Sequence, residues 1–352
     1  MGQTVDAGVA TAPAPAPPRV TQRSLGRRLM MRPEIGSLVG VILIYIFFFV
    51  VASPFRSTAS LATILYASST IGMMAVPVAL LMIGGEFDLS AGVAVTTSAL
   101  VAALFSYNLN LNIWIGVLVA LVVAVGIGFI NGYLVVRTRI PSFLVTLGTF
   151  LMLQGLNLAV TKGVTGAVAS QDVSQMTGFS SAATIFASSV PIGPVSVRIT
   201  VFWWILFIAI STVLLLKTRV GNWVFSVGGD ANSARAVGVP VNKTKIGLFM
   251  VVGLMAWFVG MHILFSFNTV QSGQGVGNEF LYIIAAVIGG CLLTGGFGST
   301  IGSAMGALIF GMTTEGIIYA GWNPDWFKFF LGIMLLLATV LNAYVRQLAS
   351  RR

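Results

Sequence analysis

Few side chains in this sequence are equipped for chemistry, and their types and spacing narrow what that chemistry is. Four carboxylates stand among apolar neighbours: Glu86 and Asp88 in "GGEFDLSAG" (84–92), Glu279, and Glu315 in "GMTTEGIIYA" (311–320). A general acid or base must reach the proton it moves, and a nucleophile needs a base beside it. The chain has one histidine, His262, and one cysteine, Cys291. That excludes an intrachain disulfide, a cysteine cluster and a paired-histidine metal site. Phosphate binding by a P-loop requires Gly-x4-Gly-Lys-Ser/Thr, and Lys162, Lys217 and Lys243 have no glycine immediately before them. "GFGSTIG" (296–302) imitates part of a dinucleotide fingerprint, without a preceding strand or the third spacing. Gly298, Gly302 and Gly306 instead recur every four residues, which suits close helix packing in lipid. With no catalytic set and no cofactor or metal site in view, the chain reads as a non-enzyme.

The remaining polar signal is a stripe. Thr146, Phe150, Gln154, Asn157 and Thr161 fall at spacings of four, four, three and four, one face of a helix. Amides are costly against lipid. They either bond to neighbouring helices or line a wet path for hydroxylated solutes, so Thr146, Phe150, Gln154 and Asn157 are candidates for a translocation path. His262 reads as a packed core residue.

These residues must be positioned by elements suited to lipid. Of 352 residues, 57% are hydrophobic and 8% charged, against about 25% charged in an ordinary soluble domain. A helix needs about 20 apolar residues to cross the hydrocarbon core. Ten segments qualify: 37–53, 60–83, 88–107, 112–136, 142–161, 199–216, 246–267, 279–294, 299–320 and 325–345. The eighth is short and broken by glycine, and Pro77 predicts a kink in the second. The expected fold is an all-α polytopic membrane protein of about ten transmembrane helices, the membrane domain covering 37–346. Residues 1–36, with "TAPAPAPP" (11–18) and five arginines, read as a disordered tail, and 347–352 as a basic C-terminus.

Counting lysines and arginines sets the orientation. With a cytoplasmic N-terminus, fifteen fall inside and only Arg56, Lys162, Arg198 and Lys328 outside. Both termini are therefore expected in the cytoplasm. The basic residues flank spans without interleaved aromatics, which argues against nucleic acid. The longest outer loop, 162–198, is expected to carry a short amphipathic element.

The longest internal cytoplasmic loop, 217–245, contains "VGGDANSARAVGVP" (227–240) between spans six and seven. Asp230 suits an N-cap and Gly238 a C′ position, predicting two helical turns over 231–237. So short a helix must dock on something, either as a solvated turn on its own chain or as a contact for a cytosolic partner. "GGDANSARAVGVPVNKTKI" resembles the coupling loop of ABC-transporter permease subunits of the ribose/xylose/simple-sugar import family. "GGEFDLSAG", "NGYLVVRTRIPSFLVTLGT" (131–149) and "GGFGSTIGSAMGALI" (295–309) resemble further family motifs in the same order. "LQGL" (153–156) and Asp230, where the family often has an amide, are departures.

The resemblance implies a permease that passes a monosaccharide or related polyol by alternating access. Its implied partners are a second permease chain, a cytosolic ABC ATPase that handles ATP and magnesium, and an extracytoplasmic solute-binding protein. Its implied location is a bacterial cytoplasmic membrane. Gly229, Asp230, Ala234, Arg235 and Gly238 would then form the coupling contact. Glu86 and Asp88, at the turn before span three, are helix caps or gating contacts beside the ATPase. Glu315, deep in span nine, joins them as a gating or cap candidate, facing a polar cavity, bonding to a neighbouring helix or snorkelling outward. An ion-coupled carrier, or a permease for a nucleoside or branched-chain amino acid, is the alternative.

Overall fold

A computed structural model describes residues 33–350, with side chains from Glu34 to Val340. Among the described residues, eight helices are long and apolar enough to cross a membrane. In chain order they are α1 (Pro33–Val51), α2 (Thr58–Ile83), α3 (Ala91–Asn108), α4 (Ile113–Thr138) and α5 (Ser142–Thr165). The loop after α5 supplies α6 (Phe179–Phe186) and a hairpin of β1 (Ser189–Ile192) and β2 (Val195–Arg198), before α7 (Ile199–Lys217). Then follow α8 (Arg219–Gly229), α9 (Ala231–Ala236) and α10 (Val241–Phe267). Last come α11 (Asn278–Ile288), α12 (Thr300–Tyr319) and α13 (Trp326–Ser350).

Local chemistry starts these helices where their caps stand. Ser57 accepts from Ser60 N at the head of α2, Asn112 from Trp114 N at α4, and Ser299 from Gly302 N at α12. Each satisfies an otherwise orphaned N–H. Helices α2, α3, α10 and α12 are mostly buried, while α1, α4, α5 and α7 keep wide apolar faces outward. In water such exposure would be unstable; in hydrocarbon it carries no penalty. Helix α10 packs along α4, and α2 along α12.

Three expectations are corrected. Residues 33–36, assigned to the tail, begin α1, and Pro33 suits a first helical position because its missing N–H has no partner there anyway. The rest of the expected tail, 1–32, lies outside the described residues. Residues 347–350 continue α13 instead of leaving it. The eighth span, expected at 279–294, is a helix of only 11 residues, about 16 Å long and too short to cross about 30 Å of hydrocarbon.

The chain reaches α11 by folding back from the end of α10. Ser170 N donates to Val270 O (2.9 Å), tying residues 268–272 to the loop after α5. Gly275 then lies against the backbone of Gly92 in α3. After α11 the backbone turns through Gly290, Gly295, Gly296 and Gly298, all at positive φ. Irregular backbone at this depth persists only when buried in protein or facing a cavity. Gly302 and Gly306 do pack tightly, against Gly289 and Ala285 of α11, but Gly298 lies in the loop ahead of the helix.

The short amphipathic element expected within 162–198 is α6, its Ala182 and Phe186 buried. The hairpin after it was missed, although Gly193, at φ +57°, stands between two short apolar runs, a recognisable turn signal. His262 is packed as expected: Nδ1 meets Phe186 O at 2.8 Å and Nε2 meets the Tyr66 hydroxyl at 3.2 Å.

Candidate functional site

The polar stretch at 227–240 forms a compact projection. Helix α8, missed in sequence because it follows α7 after a single residue, starts where Thr218 Oγ1 accepts from Gly221 N. It ends at Asp230, whose extended backbone turns the chain into α9. Asp230 Oδ1 accepts from the N–H groups of Asn232 and Ser233, both at 2.8 Å. Those bonds, to Ser233 first and Asn232 second, hold its carboxyl below the usual aspartate range. Gly238 sits at φ +85°, the left-handed conformation glycine tolerates at a helix C-terminus.

Helix α9 rests on its own chain. Ala234, only 4% exposed, packs with Val227 of α8 and Val241 of α10, flanked by Ala231 and Val239. A partner cannot touch it, so Ala234 belongs to the seat of the projection and not to its contact face. Asn232, Arg235, Ala236, Val237 and Gly238 face outward, with Val237 80% exposed. Val237 was missed because its side is decided by where α9 seats, not by its residue type. Gly229 and Asp230 are exposed at the entrance to α9. Arg235 donates to Asn242 Oδ1 over 3.4 Å, a long bond that leaves the guanidinium at the surface.

Beneath the projection, three double glycines meet: Gly84–Gly85, Gly228–Gly229 and Gly295–Gly296. Gly296 N donates to Ile83 O at 2.8 Å. A Cβ on Gly228 would overlap the Ile83 carbonyl oxygen and stand 2.7 Å from Gly296 N. A Cβ on Gly295 would stand 2.7 Å from both Gly228 O and the Gly85 Cα. Only residues without side chains let α8, the end of α2 and the glycine loop before α12 approach this closely.

The carboxylates beside this junction have separate duties. Glu86 is buried and forms an ion pair with Lys245 of α10. Asp88 accepts from Ser90 N (2.8 Å) and Ser90 Oγ (2.6 Å). Asn131 Nδ2 of α4 donates to Ser90 Oγ (2.9 Å), and Thr149 Oγ1 of α5 to Asn131 Oδ1 (2.7 Å). This chain of bonds bolts α3, α4 and α5 together. The Ser90 oxygen accepts from Asn131 and from no N–H of α3, whose first turn has no side-chain cap. Glu279 is buried at the head of α11, its carboxylate accepting from Gly277 N at 3.1 Å. Glu315 is half-buried in α12 with no hydrogen bond among the described residues.

The α5 stripe divides. Thr146 Oγ1 accepts from Leu89 N (3.1 Å) and donates to Ser142 O (2.8 Å). Asn157 Oδ1 accepts from Thr97 Oγ1 (3.0 Å). Both residues are buried and fasten α5 to the start of α3. Phe150 is half-buried against the core, and Gln154 is half-buried without a hydrogen bond among the described residues. A cleft of about 420 Å³ between α3 and α5 is lined by Asn157, Thr161, Thr97 and Asn108 among apolar neighbours. Thr161 Oγ1 is buried there with no partner among the described residues.

Comparison with known proteins agrees with this architecture. Residues 60–339 match the family described as "Branched-chain amino acid transport system / permease component". The fructose import permease protein FrcC of Rhizobium meliloti is 27% identical, over 90% of this chain and 87% of its own. Among proteins of Escherichia coli strain K12, the galactose/methyl galactoside import permease protein MglC is 30% identical, over 88% and 94%. The ribose import permease protein RbsC of that strain is 29% identical, over 92% and 98%. No solved structure matches the chain.

Proposed function

Because this chain belongs to the family of branched-chain amino acid transport system permease components, we propose that it is the membrane subunit of an ATP-driven importer. Its solute is a monosaccharide or related polyol, the class named for its ribose, galactose and fructose relatives. The protein sits in a bacterial cytoplasmic membrane, α8 and α9 toward the cytoplasm, where most lysines and arginines would then lie. It pairs with a second permease chain, receives solute from an extracytoplasmic binding protein, and performs no covalent chemistry. ATP and magnesium are handled by a separate ATPase.

One observation carries the mechanism. Helix α9 is too short to persist alone, yet Asp230 caps it, Ala234 seats it, and α8 joins it to the glycine junction. A push on Arg235, Ala236 and Val237 is therefore delivered to the end of α2 and the loop before α12 with little slack. Movement of the ATPase pair tilts those elements and alternates access to the solute path. On the α3–α5 cleft the Asn157 amide is already bonded to Thr97, and the Thr161 hydroxyl, without a partner among the described residues, is the group left for a sugar to meet.

Arg235→Glu combined with Val237→Asp changes two exposed side chains and leaves the seat intact. The double variant is expected to fold normally but to lose co-purification with the ATPase and ATP-driven sugar uptake. Uptake that survives loss of the ATPase and collapses with an ionophore would overturn the proposal in favour of an ion-coupled carrier.

A further inference from the structure

A second cavity, of about 680 Å³, lies between α2, α7, α8 and α10, on the α9 side of the molecule. Its walls are apolar, with Phe207, Met255 and Pro77 in its depth. Two hydroxyls line it, but Ser211 Oγ donates to Ile208 O and Thr244 Oγ1 to Pro240 O within their own helices. Neither has a hydrogen left to donate to a sugar. The rim residues Ile210, Val220 and Leu254 are exposed, so the cavity opens sideways onto the apolar surface. Along α10 it runs from Pro240 to Met255, about 22 Å of helix at 1.5 Å per residue. Half of the hydrocarbon core is only about 15 Å, so the cavity extends from headgroup level past one leaflet. At roughly 30 Å³ per small group, its volume holds on the order of twenty methylenes, one long acyl chain.

The mouth has the opposite character. Lys243 lines it, exposed, beside Trp223 of α8. Lys217 and Arg219 stand at the α7–α8 corner, next to Val220, which also lines the cavity. The one salt bridge among the described residues, Lys245 with Glu86, uses none of these three cations. Tryptophan and lysine at such a level are interfacial anchors, and cations there attract anionic headgroups.

We propose that this cavity is a binding site for one anionic phospholipid, its acyl chain against Pro77 and its phosphate at Lys243. The occupant touches the one proline inside α2, a position that cannot donate a backbone hydrogen bond. It also touches α8, which leads into the capped α9. A bound lipid therefore bears on the two elements joined at the glycine junction.

The test reads Trp223 fluorescence, which does not depend on transport, so it stands or fails apart from the proposed function. The full chain is reconstituted in phosphatidylcholine vesicles containing a minor fraction of brominated phosphatidylglycerol or brominated phosphatidylcholine. The Trp223 contribution is taken as the difference from Trp223→Phe. Brominated phosphatidylglycerol is expected to quench it at about fivefold lower mole fraction, the effect of one cation near an anionic headgroup. Lys243→Gln, a change at an exposed side chain, is expected to abolish that preference. Equal quenching by both lipids, or preference unchanged in Lys243→Gln, would overturn the site. So would absence of quenching by either lipid, which would mean that protein fills the cavity.

Discussion

Replacing Gly228 with alanine tests whether the glycine junction is the joint between α8 and the membrane helices. The new Cβ meets backbone, not a side chain that can swing away: the Ile83 carbonyl oxygen and, at 2.7 Å, Gly296 N. These two atoms are hydrogen-bonded to each other at 2.8 Å. Prising them apart forfeits about 0.5–1.5 kcal/mol for the bond. Overpacking of rigid surroundings adds roughly 1–3 kcal/mol, for a destabilisation on the order of 2–4 kcal/mol. Gly229 is the control, because nothing lies within 4 Å of a Cβ built there and its φ is not left-handed. Gly229→Ala is expected to stay within about 0.5 kcal/mol of the parent. Thermal inactivation of the detergent-solubilised protein, followed as aggregation or loss of helical signal, ranks the two variants. Under the proposed function, surviving Gly228→Ala protein should also move less solute per ATP once reconstituted with a partner ATPase. Equal thermal behaviour of the two variants would refute the close approach on which the reasoning depends.

Two further outcomes are expected. The Asp230 carboxyl titrates below the usual aspartate range in the folded protein. Its cap is thus fully present above the unfolded-state value near 4 and is lost only as pH falls through the lower folded value. Amide exchange at Asn232 and Ser233, compared with an Asp230→Asn variant that keeps the cap, should show a strongly acidic pH dependence only in the parent. Lys245→Ala leaves the Glu86 carboxylate buried and unpaired, at a cost on the order of 3 kcal/mol. Adding Glu86→Gln should recover most of that loss, and a denaturation series of the single and double variants measures the coupling.

Much of the architecture follows from the chain alone because its causes are local. Hydrophobic runs of about 20 residues require lipid wherever they sit, which accounts for the long helices. Asp230 and Gly238 act on residues within four positions of themselves, so the cap and stop of α9 were legible before any coordinates. The same reasoning left alternatives open where the deciding contact lies far along the chain. Thr146 and Asn157 share a helical face by spacing, yet they bond to Leu89 and Thr97, more than fifty positions away. No spacing rule could tell a path-lining amide from a bolt between helices. Ala234 and Val237 are both small apolar residues on a two-turn helix, and only the seat formed by Val227 and Val241 decides which is hidden. Glu86 looked like a cap until α10 brought Lys245 beside it. Helix α11 could be half-length because the surrounding bundle, and not lipid, receives its irregular ends. Composition and short-range pattern therefore determined the solvent, the long helices and the cap. The tertiary structure alone decided which polar groups are consumed in packing and which remain outward, since burial belongs to the assembled bundle.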